Sequence, residues 1–234
     1  MARALALGLG EPALFTDGGS GRASRLAAEV GGEALAANAD LRRADLLVLA
    51  HKPAQLEAVS REIGAAPLVL SLLGGVTVAA IESVYPGARV VRAMPNTAVE
   101  VRRGVTCICG AEVRTVEELL ARVGTVVRLA ERLMDAATAV SGVAPAYVAL
   151  IAEAWVDAAV GQGIPAAQAA ELVADSLAGS AALLLAHHMD TLAVRRAVTS
   201  PGGMTARGLR ALEQAGLRSA FSDAAPAVAG SATK

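Results

Sequence analysis

The sequence predicts an α/β domain with a doubly wound parallel sheet over residues 1–131, followed by an all-α domain over residues 132–234. Three observations carry that reading. Short apolar runs alternate with helical stretches through the first half. The second half reads as Ala/Leu/Val-rich helix punctuated by Pro145, Gly163 and Pro165. Hydrophobic residues make up 54% of the chain and aromatics only 2%, which suits closely packed helices of small residues.

In chain order, Met1–Gly8 reads as a helix ended by Gly8 and Gly10. Strands are expected at Ala13–Thr16, Ala44–Ala50, Pro67–Ser71 and Ala88–Arg92, with helices near Ser24–Val30, Gln55–Ile63 and Val78–Val84 between them. Later strands near Gly104–Cys109 and Thr125–Leu129 flank a helix at Val113–Val123. Beyond residue 131, helices are expected over Pro145–Gly161, Pro165 to about His187, Thr191–Val198 and Gly203 to about Gly216. A last short helix follows Leu217, and Pro226 should break it early. The Pro145–Gly161 helix carries Val148, Leu150, Ile151, Trp155, Val156 and Val160, and is apolar on nearly every side. Such a helix needs burial all round, so a dimer partner is expected to cover it.

Bulk properties narrow the function classes. A net charge of −1 gives no basic surface for nucleic acid or acidic membranes. Cys107 and Cys109 sit on one face of a strand, a poor geometry for a disulfide, and three histidines (His51, His187, His188) build no convincing metal set. Apolar runs such as Ser180–Ala186 read as too short to span a bilayer. The N-terminus lacks the h-region and cleavage site of a signal peptide, so a cytoplasmic protein is the expectation.

Two loops interrupt the helical half: Thr138–Tyr147 and Val198–Thr205. In Ser200-Pro-Gly-Gly-Met-Thr205, a rigid proline, two glycines and two hydroxyls meet at a helix start. Unpaired N–H groups there form a pocket for a carboxylate or phosphate. A plain helix–helix turn gives the same pattern, and spacing alone does not separate the two.

Several segments together resemble pyrroline-5-carboxylate reductases. They are Leu49-Ala-His-Lys-Pro53, Val91-Arg-Ala-Met-Pro-Asn-Thr97, Asp135–Gly142 with Pro145-Ala-Tyr147, Val198–Gly203 and Glu213-Gln-Ala-Gly-Leu-Arg-Ser219, in one order along nearly the whole chain. The resemblance implies a Rossmann-like N-terminal domain and a helical dimerisation domain interleaved with a partner's, in a homodimer that often joins a ring of dimers. It implies hydride transfer from NADPH or NADH to the C=N of 1-pyrroline-5-carboxylate, giving L-proline.

It also implies site roles. Ser200, Gly202, Gly203, Met204 and Thr205 form the substrate pocket, with backbone donors gripping the carboxylate and the Thr205 hydroxyl on the ring nitrogen. Lys52 resembles the family's cofactor-contacting lysine, and the alternative is a solvated charge. Asn38 matches a residue beside the adenosine ribose, or serves as a helix N-cap. Asn96 falls on the nicotinamide side, and His51 and Gly74 join the cofactor-binding set. In Asp17-Gly-Gly-Ser-Gly-Arg22, Ser20 and Arg22 suit a 2′-phosphate and hence NADPH, whereas Asp17 suits the ribose diol of NADH. His187 and His188 close a helix and complement its dipole; His188 falls about where the family carries an acid.

The sequence departs from the family pattern in three places. The strand and G-x-G turn that precede the first helix are absent before Met1, and an in-frame extension of roughly ten residues is expected upstream. Val143-Ala144 stands where the family shows Ser-Gly, and Pro226 lies inside the last helix. Two other classes stay open: a cofactor-defective dimeric scaffold, and a reductase of another imine or a 2-hydroxy acid. Retention of Ser200–Thr205 argues against the scaffold.

Overall fold

Alternating burial along the strands builds the first half of the chain. In the computed structural model, which describes residues Met1–Ala229, a five-stranded sheet runs in the order β3 (Leu47–Leu49), β4 (Leu68–Ser71), β5 (Arg89–Pro95), β6 (Gly104–Gly110) and β7 (Gly124–Arg128). Successive residues face opposite sides. Val69 and Val90 enter a core with Leu56 and Ile63 of α3 (Leu56–Ile63) and Ile81 of α4 (Val78–Val84). Leu70 and Val91 enter the other core, with Val116 and Leu120 of α5 (Arg114–Ala121) and Leu5 of α1 (Ala2–Leu9). Helices on both faces make this the doubly wound, Rossmann-like arrangement. A separate parallel pair, β1 (Leu14–Phe15) with β2 (Glu33–Ala34), flanks α2 (Arg22–Val30). Glycine allows the closest approach of α1: a Cβ on Gly8 would lie 2.0 Å from the Val99 carbonyl oxygen.

The sheet is not purely parallel, as the sequence had suggested. β5 and β6 pair antiparallel, while β3–β4, β4–β5 and β6–β7 are parallel. The physical reason is chain length: the link Asn96–Arg103 is too short for a helical crossover, whereas α3, α4 and α5 provide one at the parallel joints.

Arg92 is a charged intrusion into this sheet, 4% exposed beside Cys109 in the antiparallel register. Its guanidinium reaches Glu131 Oε1 at 3.2 Å and Asp135 Oδ1 at 3.5 Å, and Val78 N–H donates to the same Glu131 oxygen at 2.8 Å. The pair fastens the segment around α6 (Met134–Ala137) to β5. Cys107 and Cys109 are both free and buried with Met134.

Among the described residues the chain gathers into two compact units, Met1–Pro145 with residues 227–229, and Ala146–Pro226. The second contains α7 (Ala144–Gly161) from Ala146, α8 (Ala166–Ala186), α9 (Thr191–Ala197), α10 (Met204–Gln214) and α11 (Leu217–Ala229) to Pro226. Tyr147 and Phe221 stack edge-to-face with centroids 6.2 Å apart, joining α7 to α11. Asp190 caps α9 by accepting from Leu192 and Ala193 N–H. Two sequence expectations fail here. Pro226 does not end α11, which continues to Ala229; the proline removes a single donor, the one that would serve the Ser222 carbonyl. The run Ser180–Ala186 is the tail of the 21-residue α8, and both α8 and the stretch Glu131–Gly161 are long and apolar enough to cross a membrane.

No residue of α7 is buried within one chain, and Leu150 is 65% exposed. On α8 only Ala169 and Val173 are buried. A face this apolar needs cover.

Candidate active site

Open α/β sheets bind ligands beyond the C-terminal ends of their strands. Three of the parallel strands end in residues singled out above. β3 runs through Ala50 into His51 and Lys52, where the Gln55 side chain accepts from Lys52 N–H and caps the turn Pro53–Gln55. The Lys52 ammonium is exposed and makes no ion pair among the described residues. His51 Nδ1 lies 2.9 Å from the Lys52 carbonyl oxygen, and its buried Nε2 has no partner among the described residues. β4 leads to Gly74, exposed and open, with Met94 Cε 4.0 Å from where its Cβ would be. β5 leads to Asn96, which is 6% exposed. Its Nδ2 donates to the Ser141 carbonyl at 3.1 Å, and its Oδ1 accepts from Val105 N–H at 3.2 Å.

The loop after β1 is organised by Asp17. Its carboxylate accepts from Gly19 N–H (2.7 Å), Ser20 N–H (3.0 Å), the Ser20 hydroxyl (3.0 Å) and Ala23 N–H (2.8 Å). Gly19 and Gly21 take φ of 83° and 71° to let the chain turn around it. The bond from Ala23, aided by those from Ser20 and Gly19, holds the Asp17 carboxyl down at about 2. Ser20 on this loop and Arg22 and Arg25 in the first turn of α2 are left exposed, and the two arginines make no ion pair among the described residues. Because the folded value lies below the ordinary 3.8, this stabilisation is present above pH 3.8 and lost as pH falls toward 2. Thermal melts of wild type and Asp17→Asn should therefore differ at neutral pH and converge near pH 2. A gap that persists unchanged to pH 2 would contradict the carboxylate's role.

Asn38 does not cap its turn. The N-cap of Asn38–Arg43 is Ala37, and the Asn38 amide donates to Glu62 at 2.7 Å.

In the helical unit, Ser200–Gly203 forms a tight turn: Gly203 N–H donates to the Ser200 carbonyl at 3.0 Å, and Gly202 adopts φ 72°. A Cβ on Gly203 would sit 2.4 Å from Ser200 Oγ. α10 begins directly after it without a side-chain cap, so the first-turn N–H groups of Met204 and Thr205 have no acceptor among the described residues. Met204 is 82% exposed, and Ser200 and Thr205 are exposed as well. Such a helix start offers donors to an anion. His188 and Met189 close α8 with φ of 50° and 63°, beyond the end that the sequence placed at His187.

The sequence pointed to Asn96 but not to the partner it reaches, Ser141, which lies in the π-helical turn Thr138–Gly142. The available signal was Pro145, four residues after Ser141.

Comparison with known proteins agrees with this architecture. The pyrroline-5-carboxylate reductase dimerisation family matches residues 131–234. A pyrroline-5-carboxylate reductase of Synechocystis is 39% identical over 189 residues, covering 77% of this chain and 71% of the relative. One from Thermus thermophilus is 39% identical over 212 residues, covering 87% and 80%. Among solved structures, the 1-pyrroline-5-carboxylate reductase of Streptococcus pyogenes superposes with a TM-score of 0.89 at 27% identity, covering 99% of this chain and 94% of that one. The Plasmodium falciparum enzyme with NADP bound gives 0.84 at 27% identity, covering 98% and 92%. With this level of identity sustained over most of both chains, and with the same fold, the chain belongs to the pyrroline-5-carboxylate reductase family.

Proposed function

We propose that this protein reduces 1-pyrroline-5-carboxylate to L-proline with a nicotinamide dinucleotide, NADPH in preference to NADH. The observation that carries the reading is the uncapped start of α10 behind the Ser200–Gly203 turn, in a chain of this family. Gly202 and Met204 present backbone donors to the substrate carboxylate, while the Gly203 N–H, held by the Ser200 carbonyl, shapes the turn. Thr205 donates its hydroxyl toward the ring nitrogen and orients the C=N. Lys52, His51, Gly74 and Asn38 contact the dinucleotide. When bound, the dinucleotide supplies the hydride, and the chain contributes binding and orientation.

The NADPH preference rests on Asp17. In NADH enzymes an acid at this strand end receives the ribose diol. Here its oxygens already accept from their own loop, the Ser20 N–H and hydroxyl among the donors, and the exposed Arg22 guanidinium beside Ser20 remains to take a 2′-phosphate. The protein is proposed to act as a cytoplasmic homodimer through its helical unit, with dimers joining in a ring. Burial of α7 and α8 against a second copy accounts for their apolar surfaces without a membrane.

Thr205→Ala tests the substrate pocket. Loss of the orienting hydroxyl should lower kcat/KM for 1-pyrroline-5-carboxylate about ten- to a hundredfold, or ~1.4–2.8 kcal/mol, with NADPH affinity unchanged. Full efficiency in the variant would reduce Thr205 to an ordinary first-turn residue.

A further inference from the structure

Pro145 lies in the first turn of α7, four residues after Ser141. A helical Ser141 carbonyl would accept from the N–H of residue 145, and proline has none. The proline ring also crowds the carbonyl four residues before it. The chain responds by widening: Thr138–Gly142 forms a π-helical turn, closed by Val143 N–H donating to the Thr138 carbonyl at 3.2 Å. The displaced Ser141 carbonyl is then satisfied by the Asn96 side chain, 45 residues earlier in the chain, at 3.1 Å. Asn96 stands immediately beyond the C-terminal end of β5, so this bond fixes the turn at the ligand-binding edge of the sheet. Its amide oxygen is engaged as well, by Val105 N–H at the start of β6. The Ser141 hydroxyl donates to the Ala137 carbonyl at 3.0 Å and lies 3.7 Å from Cys107 Sγ, which seats the turn on β6.

We propose that Asn96 is a positioning residue that, together with Pro145, holds a π-helical turn at the dinucleotide edge of the sheet. Asn96 acts through the Ser141 carbonyl. The turn exists because Pro145 withholds a donor, and Asn96 replaces that donor from another element. Wide helical turns of this kind recur at functional sites, where a regular helix would aim the backbone elsewhere. This inference rests on the proposed reductase reading for its kinetic arm only.

A double-variant cycle with Asn96→Ala and Pro145→Ala tests it. Asn96→Ala should lower the melting temperature by several degrees and kcat by about tenfold or more, since the Ser141 carbonyl is orphaned and the turn is released. Adding Pro145→Ala restores an N–H for Ser141 and lets the helix close. The double variant should therefore regain part of the lost melting temperature while kcat stays low. Loss of the Val105 contact is common to both Asn96→Ala proteins and cancels in the cycle. If Asn96→Ala alone fails to fold, recovery of folding in the double variant reads the same coupling. Strictly additive stability losses would overturn the proposal, and so would a double variant with wild-type kcat. Should the wild type show no imine-dependent NADPH oxidation, the reductase reading fails, and the stability coupling still decides the Asn96–Pro145 link.

Discussion

Gly124→Ala should unfold the N-terminal unit. Gly124 opens β7 with φ 145°, a backbone conformation that side-chain-bearing residues rarely adopt. It pairs with Gly104 across the β6–β7 ladder, and a Cβ there would lie 1.9 Å from the Gly104 carbonyl oxygen. That oxygen belongs to backbone, so no side chain can swing aside. Gly104 is itself tightly packed, since a Cβ built on it would lie 2.3 Å from Val99 Cγ1, and the Val99 carbonyl in turn lies against Gly8 of α1. Strain of this kind joins a lost ladder contact, and the expected cost is above ~4 kcal/mol, a large share of a domain's whole stability. Thermal melts should show a fall of more than ~10 °C or no folded protein. A variant melting within ~3 °C of wild type would mean that β6 and β7 are spaced more loosely than described.

Leu150→Arg should separate the dimer. Leu150 is the most exposed of the large apolar side chains on α7, a helix with no buried residue of its own. An interface that covers α7 and α8 is expected to exceed ~2,000 Å². The two-fold symmetry of a homodimer puts two new guanidinium groups into it, each stripped of water and without a carboxylate. The cost, on the order of 3–5 kcal/mol per uncompensated charge, is enough to move dissociation well above micromolar concentrations. Light scattering at low micromolar protein should report a dimer for wild type and monomer or aggregate for the variant. A wild-type monomer that stays folded would contradict the burial argument for α7.

Much of the fold can be read from local patterns, and what is hidden is non-local. Val90 and Val91 announce a strand with two buried faces, and Pro165 and Gly163 mark helix ends, because each signal needs only neighbours in sequence. Arg92 looks like a surface charge until Glu131, 39 residues on, is folded beside it. The antiparallel turn of β6 follows from the shortness of Asn96–Arg103, but only once both strand ends are known. At the site, the Ser200–Thr205 pattern identified an uncapped helix start. It leaves Asp17 open between ribose ligand and loop anchor, because the four donors on Gly19, Ser20 and Ala23 that engage its carboxylate are aimed by two glycines at positive φ. The N-cap alternative for Asn38 fails for a similar reason: the turn's cap is Ala37, one residue earlier, and Glu62 of α3 takes the Asn38 amide.

The most direct test of the reductase reading is a product measurement. Purified protein mixed with 1-pyrroline-5-carboxylate and NADPH should consume the reduced nucleotide, followed by its absorbance, and yield L-proline in equal amount, with NADH serving less efficiently. Folded, dimeric protein that forms no proline from 1-pyrroline-5-carboxylate with either nucleotide would contradict it.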